Sequence, residues 1–402
     1  MRILMVNKFL YPRGGAETYV LKLGGKLAEL GHTVEYFGMY DEKNTVGNSA
    51  GCYTRNVDFH SGGWRSVTYP FTIIYSVEAK RKIRKVIEDF RPDIIHLNNI
   101  NFQITPAILD VIKSYNIPVV MTAHDYQLIC PNHLLYQPDT LTLCEKCIKR
   151  LSFDCLKHRC IHGSFVKSVL GMIEAAVYRV RKTYRYIDTI VCPSLFMKSK
   201  LDEQPMFRGK TVFLRNFSED EEQISVVKND YVLYFGRLYE EKGIRNLVRA
   251  IIKLPNIPFV VAGSGPLEPL VKGKKNIRFV GFKTGEELKD LVRKARFSIY
   301  PSVWYENCPL SIIESQKLGT PCLMTGIGGM KELAGNGMTI PGTTVEDIRQ
   351  SVETLYDSKE LLGEMQSELP RIVEEYPNLD AYAEELVKIY DRTKNHGRNT
   401  GL

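Results

Sequence analysis

Short apolar runs alternate with glycine-marked turns and helix-period segments, and the alternation occurs twice along the chain. RILMVN (2–7) is followed by Gly14-Gly15 and then AETYVLKLGGKLAELGH, whose apolar residues recur at helical spacing until Gly31. HTVEYFGM reads as a second strand; helical segments near 77–89 and 104–115 each lead into another apolar run, DIIHL and PVVMT. TIVCPS closes the first series. After residues 205–228, a linker holding the charged stretch SEDEEQ, the alternation restarts with YVLYFGR, FVVAGSG, IRFVGF, FSIYPS and PCLMTG, again separated by helical segments. Strand–helix alternation of this kind predicts parallel sheets covered on both faces, because parallel neighbours need a crossover between them. The expectation is α/β: two doubly wound, Rossmann-like domains at 1–205 and 206–376. Residues 377–402 form a C-terminal amphipathic helix packing back on the first domain. A length of 402 residues suits two such domains.

Residues 126–163 break the pattern and read as an insertion rich in Cys, His and Pro. A long helix, SFVKSVLGMIEAAVYRVRKTYRYID, follows it. Val166, Leu170, Ile173, Val177, Val180, Tyr184 and Ile187 fall on one face, expected to be buried, with Arg179, Lys182 and Arg185 pointing away. Residues 140–200 hold twelve Lys/Arg against four Asp/Glu, a surplus equal to the +8 of the whole chain. Charge confined to one segment argues for a local acidic partner such as an anionic membrane surface, and against nucleic acid, which needs a broad basic footprint. The N-terminal apolar run is too short for a signal peptide, and nowhere do about 20 apolar residues run together. A cytoplasmic protein, attached peripherally to the inner membrane face, is the expectation.

WYENCPLSIIESQKLGTP (304–321) places Glu306 and Glu314 eight residues apart. Pro309 suits the first helical position, which puts Glu306 in the preceding loop and Glu314 within the helix. Even fully helical, eight residues span roughly 12 Å, too far for a retaining glycosidase pair, whose carboxyls stand about 5 Å apart. The two carboxylates are better suited to accepting hydrogen bonds from hydroxyls on separate parts of one extended ligand. Amides at the helix start would face its anionic oxygens. YFGRLYEEKG (234–243) sets Arg237 and Lys242 just past a strand, a pair able to neutralise a diphosphate leaving group. AGSGP (262–266), with Gly263 and Gly265, and PRGGAE (12–17) are further strand-end glycine turns.

GGAE after the first strand, TAHDY at 122–126, GRLYEEKG, and E-x7-E followed by LGTP and GIGGMKEL together resemble the retaining GT-B glycosyltransferases of family four. The likeness covers roughly 1–30, 90–125 and 190–340. It implies a nucleotide-sugar donor, UDP- or GDP-linked, bound mainly by the C-terminal domain, and a glycan or lipid-linked acceptor bound mainly by the N-terminal one. It assigns Arg237 and Lys242 to the donor diphosphate, Glu314 to the ribose and Glu306 to the transferred sugar. Backbone amides near Asn307 and Leu310 assist. Gly14, Gly15, Gly263 and Gly265 fall among the donor-side positions, and His124 lies beside the reactive carbon. His96, Asn98, Asn99 and Asn101 line the acceptor side. No metal or other cofactor is implied for catalysis where Arg and Lys supply the charge. An epimerase or phosphorylase on the same fold is the alternative, and a zinc-containing nucleic-acid-binding protein a remote one.

The insertion departs from that pattern. CEKCIKRLSFDCLKHRC supplies Cys144, Cys147, Cys155 and Cys160, four sulfurs able to close a tetrahedron around a structural zinc. Such an ion would fix the shape of the insertion without performing chemistry.

Overall fold

The computed structural model describes residues 1–56, 69–218 and 227–399; positions 219–223 of the SEDEEQ stretch lie outside them. The chain divides into two compact units. One comprises 1–140, 144–214 and the C-terminal segment from Leu379; the other comprises 141–143 and Arg215–Asn378.

The first unit is built on β1 (Arg2–Val6), β2 (Thr33–Phe37), β3 (Ile94–Leu97), β4 (Val119–Thr122), β5 (Thr189–Cys192) and β6 (Thr211–Phe213). All pair in parallel, in the order β2-β1-β3-β4-β5-β6. β6 falls inside the segment expected to be a linker. Its Thr211 and the nearby Phe207 are buried, so this stretch belongs to the sheet and its packing. The strand order reverses between β1 and β3, and open parallel sheets bind ligands in the crevice beyond the strand C-termini at such a reversal. The Leu379–Asn399 helix belongs to this unit and packs on the Gly15–Glu29 helix and on β4. It buries Tyr382, Leu386, Ile389 and Tyr390.

The second unit contains β7 (Val232–Phe235), β8 (Phe259–Ala262), β9 (Ile277–Gly281), β10 (Phe297–Tyr300), β11 (Cys322–Thr325) and β12 (Thr339–Ile340). They are parallel in the order β9-β8-β7-β10-β11-β12, with the reversal between β7 and β10. Successive strand residues point to opposite faces, and here both faces are dry. Val232, Tyr234, Phe259, Val261, Phe297 and Ile299 pack with the Ile244–Ile252 helix. Leu233, Phe235, Val260, Ala262 and Tyr300 pack with Ile312 and Ile313 on the other side. Each fully buried aliphatic side chain contributes about 1.5–3 kcal/mol, which is why these strands read as unbroken apolar runs.

The helix after the insertion corrects the sequence expectation. It spans Phe165–Val180 only, ends where Lys182 takes a left-handed conformation (φ 51°), and is followed by a 3-10 turn at Thr183–Tyr186. Its buried residues are Ser168, Gly171, Glu174 and Tyr178, while Val166, Ile173 and Val180 are 66%, 44% and 83% exposed. The cause lies in what the polar residues do. Glu174 accepts from Asn101 at 3.0 Å, and Tyr178 donates to the Ile74 carbonyl. Arg179, expected to point away, turns inward and donates to the carbonyls of Ile129 (3.0 Å) and Cys147 (2.5 Å). Gly171 lies where a β-carbon would stand 2.2 Å from the Ile161 side chain, so the inner face is the small and polar one.

Candidate functional site

In the second unit the motif residues collect at the strand-order reversal. The chain leaves β7 at Gly236-Arg237, makes a 3-10 turn at Glu240–Lys242, and passes through Gly243 into the Ile244–Ile252 helix. Gly243 is obligatory: its φ is 73°, and a β-carbon there would lie 1.9 Å from the Pro301 carbonyl oxygen. That close approach brings the turn against the loop leaving β10. Lys242 Nζ thereby donates to Glu306 Oε1 at 2.5 Å, and Ser302 Oγ donates to the same oxygen at 2.6 Å. Glu306 is buried (5% exposed). Burial alone is the strongest influence and would raise its pKa, yet Lys242 and Ser302 together hold the carboxyl below its ordinary range. The result is a desolvated carboxylate kept charged beside an ammonium.

Trp304 completes this corner, with Lys242 Nζ 5.4 Å from the ring centroid. Its buried indole N–H is directed at the Glu306 carboxylate and, as a side-chain donor, helps hold that carboxyl charged. Glu306 is fixed by its backbone as well, since its carbonyl accepts from Gly329 N at 2.7 Å. Arg237 stands farther out, 56% exposed, paired at 3.4 Å with Glu241 and 5.0 Å from the Tyr239 ring. The helix after Glu306 spans Leu310–Lys317. Pro309 is its N-cap, one position earlier than the sequence suggested, and no side chain caps the amides there. Asn307 is buried in the approach to this helix, and Glu314 lies on its exposed face. Gly263 and Gly265 serve the backbone: β-carbons there would meet the Gly236 and Leu238 carbonyl oxygens at 1.9 and 2.5 Å. Both glycines let the β8 loop lie against the β7 loop that carries Arg237.

In the first unit the loops after β1, β3 and β4 converge. His124 Nε2 donates to Asn98 Oδ1 at 2.8 Å, and the imidazole meets the Tyr19 ring edge-on at 4.8 Å. Burial lowers the His124 pKa to about 4, so the ring is neutral at pH 7. Sequence reasoning missed Lys8, Glu17 and Asp125 here. Burial lowers the Lys8 pKa, while the Asp125 and Glu17 carboxylates oppose that shift. A lysine placed directly after the first strand was the available signal. Gly14 is the N-cap of the Gly15–Glu29 helix, and a β-carbon on it would lie 3.2 Å from Glu17 Oε2. That helix start therefore already has a carboxylate beside it.

Three of the acceptor-side residues, His96, Asn98 and Asn101, are wholly buried. His96 is wholly buried, with Nδ1 2.6 Å from Tyr390 Oη and Nε2 2.8 Å from Thr122 Oγ1. Burial, with His124 nearby, lowers its pKa to about 3. It joins the C-terminal helix to the sheet and offers no surface to an acceptor. Asn101 is likewise enclosed, donating to Glu174 and to Tyr184 Oη. Asn98 accepts from His124 Nε2, and Asn99 N donates to Asn7 Oδ1 at 3.1 Å.

The insertion's thiols lie near one another: Cys160 is hydrogen-bonded with Cys155, and Cys147 is influenced by both Cys144 and Cys160. Among the described residues no group of three or more His, Cys, Asp or Glu side chains is placed to hold a metal ion, and Cys144, Cys147, Cys155 and Cys160 are free thiols. Cys130 donates to Asn132 Oδ1 at 2.8 Å, and burial raises its pKa to about 12 and that of Cys147 in the same direction.

Two family models cover most of the chain: Glycosyltransferase Family 4 over residues 13–221 and Glycosyl transferases group 1 over residues 229–358. A 42.6 kDa protein of the cps region of Klebsiella pneumoniae is 25% identical over 355 residues, covering 83% of this chain and 87% of that one. Sucrose-phosphate synthase from Thermosynechococcus elongatus superposes with a TM-score of 0.68 at 16% identity, over 97% of this chain and 98% of that one. HepE from Anabaena, in complex with UDP and glucose, gives 0.65 at 16% identity, over 97% and 99%. Two parallel-sheet units, each with its motif loops at the strand-order reversal, agree with matches that run nearly end to end. The chain belongs to Glycosyltransferase Family 4 and is a glycosyltransferase of the GT-B fold.

Proposed function

We propose that this enzyme is a retaining transferase moving a sugar from a UDP- or GDP-linked donor to a hydroxyl of a glycan or lipid-linked acceptor. The observation that carries the reading is the Lys242–Glu306 pair at the β7/β10 reversal. Lys242 has three N–H donors; one holds Glu306, and the others are available to a donor diphosphate. Arg237, on its longer and more exposed arm, closes on the same phosphates. Glu306 and Glu314 accept from hydroxyls of the sugar and the ribose, and amides near Asn307 and Leu310 meet phosphate oxygens.

In the reaction the bond from the anomeric carbon to the phosphate oxygen breaks, and its electron pair leaves with the nucleoside diphosphate. The acceptor oxygen bonds to the same carbon from the same face, and its proton passes to the departing phosphate. Fixed cations stabilise the charge as it builds. That role requires no metal. The resemblance assigns His124, neutral at pH 7, to the transferred sugar. The HepE complex holds UDP and glucose, which supports a nucleotide-sugar donor here. A lipid-linked acceptor places the reaction at a membrane surface.

Incubation with UDP- and GDP-sugars and candidate acceptors, with the product's anomeric configuration read by NMR, tests this. Inverted product, or turnover unchanged in Arg237→Ala, refutes it.

A further inference from the structure

The inverted Phe165–Val180 helix leaves an apolar stripe in water. Val166, Ile173 and Val180 are exposed, and Leu170 and Val177 lie half-buried between them. These positions recur every three or four residues, so they share one face, running about 21 Å at 1.5 Å per residue. At its N-terminal end the helix packs on the short Asp154–Lys157 helix, whose N-cap, Phe153, is 81% exposed. Single exposed apolar residues are ordinary, but a continuous stripe marks a surface that is covered in use.

The charges around it indicate what covers it. Lys157, Arg159 and Lys167 lie exposed at the N-terminal end, and Lys182 at the other. None of the four makes an ion pair among the described residues. The helix's own carboxylate, Glu174, is turned into the protein, where burial raises its pKa to about 8. The stripe therefore presents no acid along its length, with cations at both ends. A second copy of the chain would bring the same cations against these. A bilayer with anionic headgroups and an apolar interior complements both features at once.

We propose that this face is a membrane-docking surface, on which the Phe165–Val180 helix lies in the plane of an anionic bilayer. Val166, Ile173, Val180 and Phe153 enter the acyl boundary, and Lys157, Arg159, Lys167 and Lys182 meet headgroup phosphates. No helix among the described residues is long and apolar enough to cross a membrane, so docking is peripheral. The inference uses no residue of the Lys242–Glu306 corner and does not depend on the donor chemistry.

The test is co-sedimentation of the full chain with phosphatidylcholine vesicles with and without phosphatidylglycerol, at low and raised salt. Wild type binds the anionic vesicles, and binding weakens with salt. Ile173→Asp/Val180→Asp loses at least about tenfold per side chain. Lys167→Ala/Lys182→Ala loses about thirtyfold, from about a factor of five per cation. All four positions are at the surface, so each variant keeps the wild-type circular dichroism spectrum. No binding at low salt, or equal binding by the Asp variant, overturns the proposal. So does a wild-type dimer in analytical ultracentrifugation that Ile173→Asp/Val180→Asp converts to monomer, because the occupant would then be a second copy.

Discussion

Replacing Lys242 by methionine, which keeps the apolar stem and removes the charge, strips Glu306 of its cation in a buried site. Removing one member of a buried ion pair costs about 3–5 kcal/mol when the other stays charged. Glu306 has an escape, which is to bind a proton, and this sets a ceiling. From an ordinary pKa of 4.5, holding the carboxyl neutral at pH 7 costs about 3.4 kcal/mol, at about 1.36 kcal/mol per pH unit. Near pH 5.5 the same ceiling is about 1.4 kcal/mol.

The signs for the two proteins are opposite. In wild type the folded pKa lies below 4.5, so the unfolded chain binds more protons; the pair's stabilisation is present above 4.5 and is lost as pH falls through the folded value. In Lys242→Met the folded pKa lies above 4.5, so stability declines as pH rises from there. The gap between them therefore widens with pH to about 3 kcal/mol at pH 7, a fall of roughly 10 °C in Tm for a unit of this size. Trp304, beside Lys242, reports the transition by its fluorescence in a Trp64→Phe background, where it is the sole tryptophan. Urea titrations at several pH values give the gap, and adding Glu306→Gln recovers most of it. A gap that is flat with pH, or below about 1 kcal/mol at pH 7, refutes a charged, desolvated Glu306.

With Arg237 at the leaving group as proposed, Arg237→Ala lowers kcat by about two orders of magnitude, with Tm unchanged because the side chain is half exposed; single-turnover kinetics check it. Acid weakens the first unit: His96 titrates at 6.5 unfolded and about 3 folded, so the unfolded chain binds more protons below 6.5. Stability near pH 5 is about 2 kcal/mol below its neutral value, as urea melts will show, and His124 acts in the same direction. Tyr390→Phe leaves His96 Nδ1 without its partner and destabilises by about 1–3 kcal/mol, measured by chemical denaturation. Gly243→Ala forces a β-carbon onto the Pro301 carbonyl at φ 73°; it lowers both the unit's Tm and transferase activity, because it displaces Lys242 from Glu306.

The sheets were legible in the sequence because a parallel strand dry on both faces leaves an unbroken apolar run, as VLYF and FVVA do. The Lys242 and Glu306 loops were legible because each follows such a run. Their contact was not, since sixty-four residues separate them and only strand order brings β7 beside β10. His96 misled for a related reason: it occupies a strand end, as site residues do, but its ring partner, Tyr390, comes from the last helix. For the thiols, C-x-x-C fixes two sulfurs locally and says nothing of whether distant ones complete a metal site.

The Phe165–Val180 helix shows where periodicity loses its meaning. A helical stripe of valine, leucine and isoleucine is assigned to the core on the assumption that the opposite face is polar enough to prefer water. Here the opposite face is Ser168, Gly171, Glu174 and Tyr178, and each has a specific task inside: a hydroxyl for the Ile161 amide, space for the Ile161 side chain, an acceptor for Asn101, a donor for the Ile74 carbonyl. Those bonds are made in a low-dielectric interior, where each buried polar group left unmade costs about 1–3 kcal/mol, a sum comparable to the transfer of three aliphatic side chains. They fix the helix orientation because only this face meets those partners. The apolar residues are then outside by necessity. Their retention beside unpaired lysines follows once the surrounding medium is taken to be lipid on that side.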